Sequence, residues 1–201
     1  MSARALFPTL LWQAPLGDDA LLADLDHSAR ALAAEDAAGR RWCREHGYRG
    51  YTSYASLNDL PRRDPAFADL KRRLDRHVAA FAEAAAFDLG GRKLRLDSLW
   101  VNVLKPGGHH AAHIHPHSVV SGTLYVTMPD GAGALKLEDP RLPMLMAAPP
   151  RNAAAGALAT FQTIAPAAGD VLLWESWLRH EVLANGAKAE RISISFNYAM
   201  R

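Results

Sequence analysis

Two kinds of hydrophobic periodicity divide the chain. In the N-terminal part, apolar residues recur at steps of three or four, which is typical of amphipathic helices. One row lies at 21–32 and follows Asp18 and Asp19, either of which could cap a helix. A second row follows Asp64-Pro65 and predicts a helix that ends near Gly90-Gly91. The apolar positions are Leu21, Leu25, Ala29 and Leu32 in the first row, and Phe67, Leu70, Leu74, Val78 and Phe81 in the second.

From residue 94 onward the pattern changes to an alternation with period 2, which indicates β-strands. The alternating segments are short, rich in Val, Ile, Leu and Tyr, and separated by Gly, Pro and Asn. They cover residues 94–104, 121–128, 134–138, 158–164, 170–174 and 191–198, and residues 5–13 predict one more short strand. Several short strands of this kind favour an antiparallel sandwich or barrel. The whole pattern predicts a mainly β fold with helices, of the α+β class.

Two stretches follow neither period. Residues 39–60 are aromatic and rich in turn residues, and they predict a loop or short strand leading toward the core. Residues 142–157 are rich in Ala, Pro and Met, and they predict a mobile insert that could cover a site as a lid.

Composition narrows the class of protein. With 201 residues, 49% of them hydrophobic and 22% charged, the chain should fold as a single domain over residues 1–201. A net charge of +2 gives no reason to expect nucleic acid or a membrane as the main partner. The lone Cys43 excludes an internal disulfide and fits a cytoplasmic protein. The sequence leaves open whether the chain forms a homodimer.

The segment 107–117 contains five of the nine histidines. His113 and His115 are two positions apart, a spacing that places both imidazoles on one face of an extended strand. Two imidazoles at a strand end can hold one metal ion, because neutral imidazole suits Fe, Zn, Cu and Ni. A third protein ligand would leave open positions for substrate or oxygen, and His180, after strand 170–174, is the natural candidate.

The strand at 191–198 has two different faces. Arg191, Ser193, Ser195 and Asn197 share one face, and four apolar residues share the other. The apolar face must pack on other elements. The polar face either meets solvent or lines a polar cavity, and the alternation alone is compatible with both.

Taken together, these residues resemble the Fe(II)- and 2-oxoglutarate-dependent oxygenases. The likeness is to the prolyl-hydroxylase-like branch, and within it to a bacterial 2-oxoglutarate-Fe(II) oxygenase family. It covers roughly residues 97–198 and rests on an ordered set of motifs. In chain order these are Trp100-Val101-Asn102-Val103, Gly107-Gly108, His113-Ile114-His115, Ser121-Gly122-Thr123-Leu124-Tyr125-Val126, Gly133-Ala134-Leu135, Pro166-Ala167-Ala168-Gly169-Asp170, His180-Glu181-Val182 and Arg191-Ile192-Ser193.

The resemblance implies a double-stranded β-helix, a jelly-roll or cupin-like barrel. Its core would span about residues 93–201, with an N-terminal strand and supporting helices over about residues 1–92. It also implies an oxidoreductase, a dioxygenase that is most simply a hydroxylase, with Fe(II) as cofactor and 2-oxoglutarate as cosubstrate. No sequence motif identifies the substrate, which would be a small molecule or a peptide.

The same resemblance implies roles for individual residues. His113 and His180 match the family's two histidine ligands. Arg191 matches the basic residue that pairs with the far carboxylate of 2-oxoglutarate, and Ser193 matches its hydroxyl partner. A planar guanidinium suits this role because it can donate two parallel charge-assisted hydrogen bonds. Two further residues are expected at the cosubstrate, namely Tyr125 and Asn102.

Position 115 departs from the family pattern, which has an acidic ligand there. Either His113, His115 and His180 form an all-histidine triad, or the metal takes a carboxylate from Asp139 or Glu175. A triad of neutral histidines leaves the site one unit more positive than a site with one carboxylate, which would change metal preference. The remaining histidines of the segment, His109, His110 and His117, are expected to support the ligands or to face solvent.

Two other functions compete with the oxygenase. One is a cupin-type three-histidine metalloenzyme that does not use 2-oxoglutarate. The other is a non-catalytic metal- or ligand-binding module, in which the whole histidine cluster takes up metal. The module would depend on His109, His110 and His117 as much as on His113, whereas the oxygenase would not.

Overall fold

The computed structural model describes residues 2–141, 144–147, 149–152 and 155–201. The insert predicted over residues 142–157 falls partly outside these ranges, and its role as a lid therefore lies outside the described residues. No helix in the described part of the chain is long and apolar enough to cross a membrane.

In the described parts of the chain, four α-helices lie before strand 94–104, and a short fifth one lies between later strands. They are α1 (Asp19–Glu35), α2 (Ala37–Glu45), α3 (Leu60–Arg63), α4 (Pro65–Ala84) and α5 (Met144–Ala147). The Asp18 side chain caps α1 by accepting from the Leu21 N–H, and Asp64 caps α4 by accepting from Ala66. Both caps are those that the sequence predicts, because an aspartate before an apolar row satisfies a free N–H of the first turn.

Within the described residues, ten strands form two antiparallel sheets. The strands are β1 (Trp12–Pro15), β2 (Gly50–Thr52), β3 (Leu94–Leu104), β4 (His110–His113), β5 (Val120–Thr127), β6 (Leu135–Glu138), β7 (Phe161–Ile164), β8 (Asp170–Glu175), β9 (His180–Val182) and β10 (Arg191–Met200). The major sheet has the order β1-β8-β5-β10-β3-β2, and the minor sheet has the order β4-β9-β6-β7. The two sheets are the two layers of the expected jelly roll, and the N-terminal segment adds β1 and β2 to the edges of the major one.

The main hydrophobic core lies between the helices and the outer face of the major sheet. The apolar side chains of α1 and α4 contribute to it, together with Ile192, Ile194, Phe196 and Tyr198 of β10, which are fully buried. A second cluster between the sheets includes Tyr125, Leu135 and Trp174. The alternation of β10 therefore directs its apolar row to the helices and its polar row into the space between the sheets.

Several predicted elements differ from the structure. Residues 37–45 are helical rather than loop, because Asp36 caps α2 by accepting from the Gly39 N–H and also accepts from the hydroxyls of Tyr51 and Ser56. The helix α4 ends at Ala84, well before Gly90. The N-terminal strand begins at Trp12 rather than at residue 5, because only residues 12–15 pair with β8.

Candidate active site

Three histidines meet at one end of the space between the sheets. His113 is the last residue of β4, and it lies opposite His180, the first residue of β9, in the antiparallel register. His115 lies two residues beyond β4, where its backbone N–H donates to the Ser176 carbonyl. One ring nitrogen from each histidine lies within 4.8 Å of the others. The structure thus brings together the three residues that the sequence singles out as metal ligands.

Backbone carbonyls orient two of these rings. Nδ1 of His113 lies 2.6 Å from the Ala111 carbonyl oxygen, and Nδ1 of His180 lies 2.8 Å from that of Leu178. A carbonyl oxygen only accepts, so both Nδ1 atoms carry the hydrogen and both Nε2 atoms keep a free lone pair. Nε2 of His180 faces Nε2 of His115 at 3.3 Å. This arrangement, with the second ring nitrogen donating to a carbonyl, is the one that metal-bound histidines adopt.

Burial keeps the imidazoles of His115 and His180 neutral. Together with a smaller contribution from neighbouring histidines, it lowers the pKa of His115 to about 4 and that of His180 to about 3. The Trp174 ring packs edge-on against His180, and Trp100 lies beside His115, so aromatic surface excludes water from two of the rings. A neutral imidazole with a free lone pair is the protonation state that binds a metal ion.

Neither candidate carboxylate belongs to this cluster. Asp139 accepts hydrogen bonds from Arg141, and Glu175 accepts one from the indole of Trp177 at 2.9 Å. Among the described residues, the group that could hold a metal consists of His113, His115 and His180 alone. The all-histidine alternative is therefore the one that fits the geometry.

The polar row of β10 is buried rather than solvent-exposed. Arg191 is 1% exposed, and its Nη1 donates to the Ser193 hydroxyl at 3.1 Å. Its guanidinium lies over the ring of Tyr125 at 5.2 Å from the centroid. Its Nε and Nη2 atoms are buried and have no hydrogen-bond partner among the described residues. Burial lowers the pKa of Arg191, and no acidic side chain in the described part of the chain compensates its charge.

A cavity of about 370 Å³ opens beside the histidine cluster. All three histidines line it, together with Asn102, which accepts from the Thr52 hydroxyl at 2.9 Å and donates to Ser195 at 3.1 Å. Arg191, Ser193 and Tyr125 do not line it directly. They lie further along the inner face of the major sheet, where Ser193 is opposite Asn102 in the register.

The cavity wall also contains residues that the sequence does not single out for this site. Tyr48 and Trp174 both line it, and Trp174 carries a buried indole N–H without a partner. His110 is half-buried, its Nε2 lies 2.7 Å from the Tyr48 hydroxyl, and burial together with Arg191 lowers its pKa to about 3. His109 and His117 are exposed, as expected. In the sequence, His110 is marked as a site residue only by its position three residues before His113. In the structure, the pairing of β4 with β9 is bulged between these two residues.

A family model described as "Putative 2OG-Fe(II) oxygenase" matches residues 98–197, the stretch that carries all three clustered histidines and Arg191. The chain belongs to this family of 2-oxoglutarate-Fe(II) oxygenases. It is therefore an enzyme of the oxidoreductase class, as the sequence resemblance implies. No curated protein sequence matches the chain.

Solved structures share the fold of this oxygenase. A prolyl-4-hydroxylase from Pseudomonas putida aligns with a TM-score of 0.61 and 18% identity, covering 96% of this chain and 94% of that one. The epimerase SnoN, solved with Fe³⁺, α-ketoglutarate and nogalamycin RO, gives a TM-score of 0.65 and 18% identity over 95% and 79%. HygX from Streptomyces hygroscopicus, with nickel and 2-oxoglutarate bound, gives 0.64 and 15% over 95% and 82%. These likenesses establish the double-stranded β-helix fold of the oxygenase.

Proposed function

We propose that the oxygenase binds Fe(II) through His113, His115 and His180, binds 2-oxoglutarate with the help of Arg191, and hydroxylates a C–H bond of its substrate. The observation that carries the proposal is a buried guanidinium without an acidic partner, located in the same barrel interior as three converging imidazoles. A buried, unpaired charge is unfavourable unless a ligand compensates it.

The histidine cluster fits a divalent metal. Nitrogens at about 2.1 Å from one ion, in tetrahedral or octahedral geometry, lie about 3.0–3.4 Å apart. The 3.3 Å between the Nε2 atoms of His115 and His180 falls in that range. Three protein ligands leave positions open for a chelating cosubstrate.

Charge supports a dianionic cosubstrate that reaches both the metal and Arg191. Three neutral histidines leave the full double charge of Fe(II) uncompensated, whereas a site with one carboxylate would not. The keto-acid end of 2-oxoglutarate, which carries one carboxylate, would compensate one of these two charges. The other carboxylate of 2-oxoglutarate would meet the unpartnered Nε and Nη2 of Arg191, with Ser193 holding the third guanidinium nitrogen in place.

When bound, the metal and cosubstrate supply the oxidation: O₂ is reduced as 2-oxoglutarate is converted to succinate and CO₂ and a substrate C–H becomes C–OH. The chain's own residues orient and shield the reactants. Ala111 and Leu178 fix the ligand rings through their carbonyls, and Trp100 and Trp174 exclude water from the cluster. Asn102, held by Thr52 and Ser195, presents a fixed amide to the cavity.

Arg191 separates this proposal from its competitors. A cupin-type enzyme without 2-oxoglutarate would leave the buried guanidinium uncompensated through the whole catalytic cycle. A metal-binding module would not need it at all. The lone Cys43 is consistent with the cytoplasmic location that we include in the proposal.

Anaerobic addition of Fe(II) and 2-oxoglutarate tests the proposal, because chelation by the keto acid produces a visible charge-transfer band. We expect this band in the wild-type protein, and its loss at the same cosubstrate concentration in Arg191→Met. Arg179→Met is the matched control, since Arg179 is exposed and pairs with Glu138. Absence of the band in the wild-type protein, or a band of equal strength in Arg191→Met, would contradict the proposal.

A further inference from the structure

The mouth of the cavity is apolar and aromatic. Five lining residues form what we term the aromatic rim: Trp42, Tyr54, Trp100, Ile114 and Pro116. Tyr54 and Ile114 remain 60% and 47% exposed, so both present large apolar surfaces at the cavity. Trp42 and Tyr54 come from the N-terminal segment, outside residues 98–197 that the family model matches. The rim is therefore built partly from residues outside the matched stretch.

Ring contacts connect the rim to the proposed metal site. Tyr54 packs edge-on against Trp100, with ring centroids 5.2 Å apart. Trp100 in turn lies 5.9 Å from the ring of His115. A substrate group packed on Trp100 would therefore be separated by the Trp100 ring from His115, a proposed metal ligand.

Apart from the proposed metal and cosubstrate, the cavity offers no charged side chain to a substrate group. Among the described residues that line it, none is Asp, Glu, Lys or Arg. Thr52, Asn102 and Ser195 are already hydrogen-bonded to one another. A charged group buried there without a partner would lose its hydration and gain nothing in return. Aromatic faces, in contrast, favour flat apolar groups in stacked or edge-on contact.

We infer that the aromatic rim is the subsite for the primary substrate, and that it takes an uncharged planar ring group, aromatic or conjugated. This inference rests on the proposed function, since it assigns the position beside the metal to the substrate. The cavity of about 370 Å³ lies near the lower end of the usual range of about 300–1,000 Å³ for ligand pockets. Because the cosubstrate shares this space, one ring enters and any further part of the substrate stays outside.

Two bicyclic probes of the same shape test the assignment. Isothermal titration calorimetry would compare 2-naphthol with 2-naphthoate, in the metal-free protein and in the anaerobic Fe(II)/2-oxoglutarate complex. We expect 2-naphthol to bind at least about tenfold more tightly than the charged 2-naphthoate in the Fe(II)/2-oxoglutarate complex, where the cosubstrate already occupies the metal and Arg191. Equal affinity for the two probes in that complex, or tighter binding of 2-naphthoate, would overturn the inference.

Substitutions locate the binding. We expect Tyr54→Ala and Trp100→Ala each to weaken 2-naphthol binding by about fivefold or more. If Trp100→Ala disturbs strand β3, Tyr54→Ala still tests the inference, because the exposed ring of Tyr54 contributes little to the core. Trp177→Ala is the matched control, since Trp177 is 46% exposed and does not line the cavity. Unchanged affinity for 2-naphthol in Tyr54→Ala and Trp100→Ala would refute the assignment of the aromatic rim as the substrate subsite. A wild-type protein that fails to bind 2-oxoglutarate but binds 2-naphthol at the rim would refute only the proposed function.

Discussion

The hydroxyl of Tyr48 lies 2.7 Å from Nε2 of His110, and both residues line the cavity beside the histidine cluster. Burial raises the pKa of Tyr48, so the phenol stays protonated. The positive charge of Arg191 lowers this pKa by a smaller amount, so the guanidinium acts electrostatically on the phenol. We expect its O–H to turn from His110 to a carboxylate that Arg191 binds. Loss of one hydrogen bond to a charged group, about 1.5–3 kcal/mol, predicts that Tyr48→Phe raises the Kd of 2-oxoglutarate by about tenfold or more.

Titration of 2-oxoglutarate into the Fe(II) protein without oxygen measures this change. Tyr54→Phe is the control, because Tyr54 is largely exposed and does not contact His110 or Arg191. An unchanged Kd in Tyr48→Phe, in a wild-type protein that binds 2-oxoglutarate, would assign Tyr48 to packing alone.

Arg191 should lower the stability of the ligand-free protein. Its guanidinium is buried with two unpartnered nitrogens, so replacement by an apolar residue of similar length removes an uncompensated charge. We expect Arg191→Met to raise the free energy of unfolding by about 1–2 kcal/mol, as replacement of buried charges by apolar residues does elsewhere. Urea denaturation of the metal-free proteins measures the difference.

Ligand protection provides the reciprocal test of Arg191. A cosubstrate at 100 times its Kd should stabilise the wild-type Fe(II) protein by about 2.7 kcal/mol. Arg191→Met should gain almost none of this at the same concentration. A ligand-free variant less stable than wild type would mean that the Ser193 and Tyr125 contacts outweigh the buried charge.

Local signals account for the part of the fold that could be predicted. The helices α1 and α4 have an aspartate cap and a long apolar row, and β3 begins with an alternation of apolar and polar residues over 94–97. The strands β4 and β9 have four and three residues, too few for an alternation to be visible. They exist because they pair with each other across His113 and His180. These two strands therefore form through their pairing in the sheet and not through a local sequence pattern.

The candidate site shows the same division. The pairing of His113 and His115 could be inferred from their spacing, and His180 from its place after strand 170–174 and from the family resemblance. The burial of the β10 polar row could not, since a polar strand face looks the same whether solvent or a second sheet covers it. The role of Tyr48 could not be predicted either, because it depends on contacts with His110 and Asn102, which lie 62 and 54 residues away in the sequence.

Asp36 anchors the segment that delivers Trp42, Tyr48 and Tyr54 to the cavity. Burial raises its pKa, but hydrogen bonds from the Gly39 N–H and from the Ser56 and Tyr51 hydroxyls outweigh that effect and lower it overall. A lowered carboxyl pKa stabilises the fold above the unfolded value of 3.8, and this contribution disappears as pH falls through the folded value. We expect Asp36→Ala to destabilise the protein at pH 7 by about 1–2 kcal/mol, the cost of losing a helix cap. In urea denaturation the gap from wild type should narrow below pH 4, and a constant gap would contradict this account.

His115 should behave as a ligand and its neighbour His117 should not. The ring of His115 lies 5.0 Å from that of His113 and 5.1 Å from that of His180, whereas His117 is exposed, with a left-handed backbone at φ 69°. Loss of an outer partner of a metal ligand lowers metal affinity by about 10–100-fold, so loss of a ligand itself should lower it by at least about 100-fold. We therefore expect His115→Ala to weaken Fe(II) binding by that factor in an anaerobic competition with a chelator, while His117→Ala and His109→Ala change it by less than about twofold. Equal losses in all three variants would instead support a metal-binding module that uses the whole histidine cluster. Normal Fe(II) affinity in His115→Ala would remove position 115 from the metal site and leave His113 and His180 to hold the metal without it.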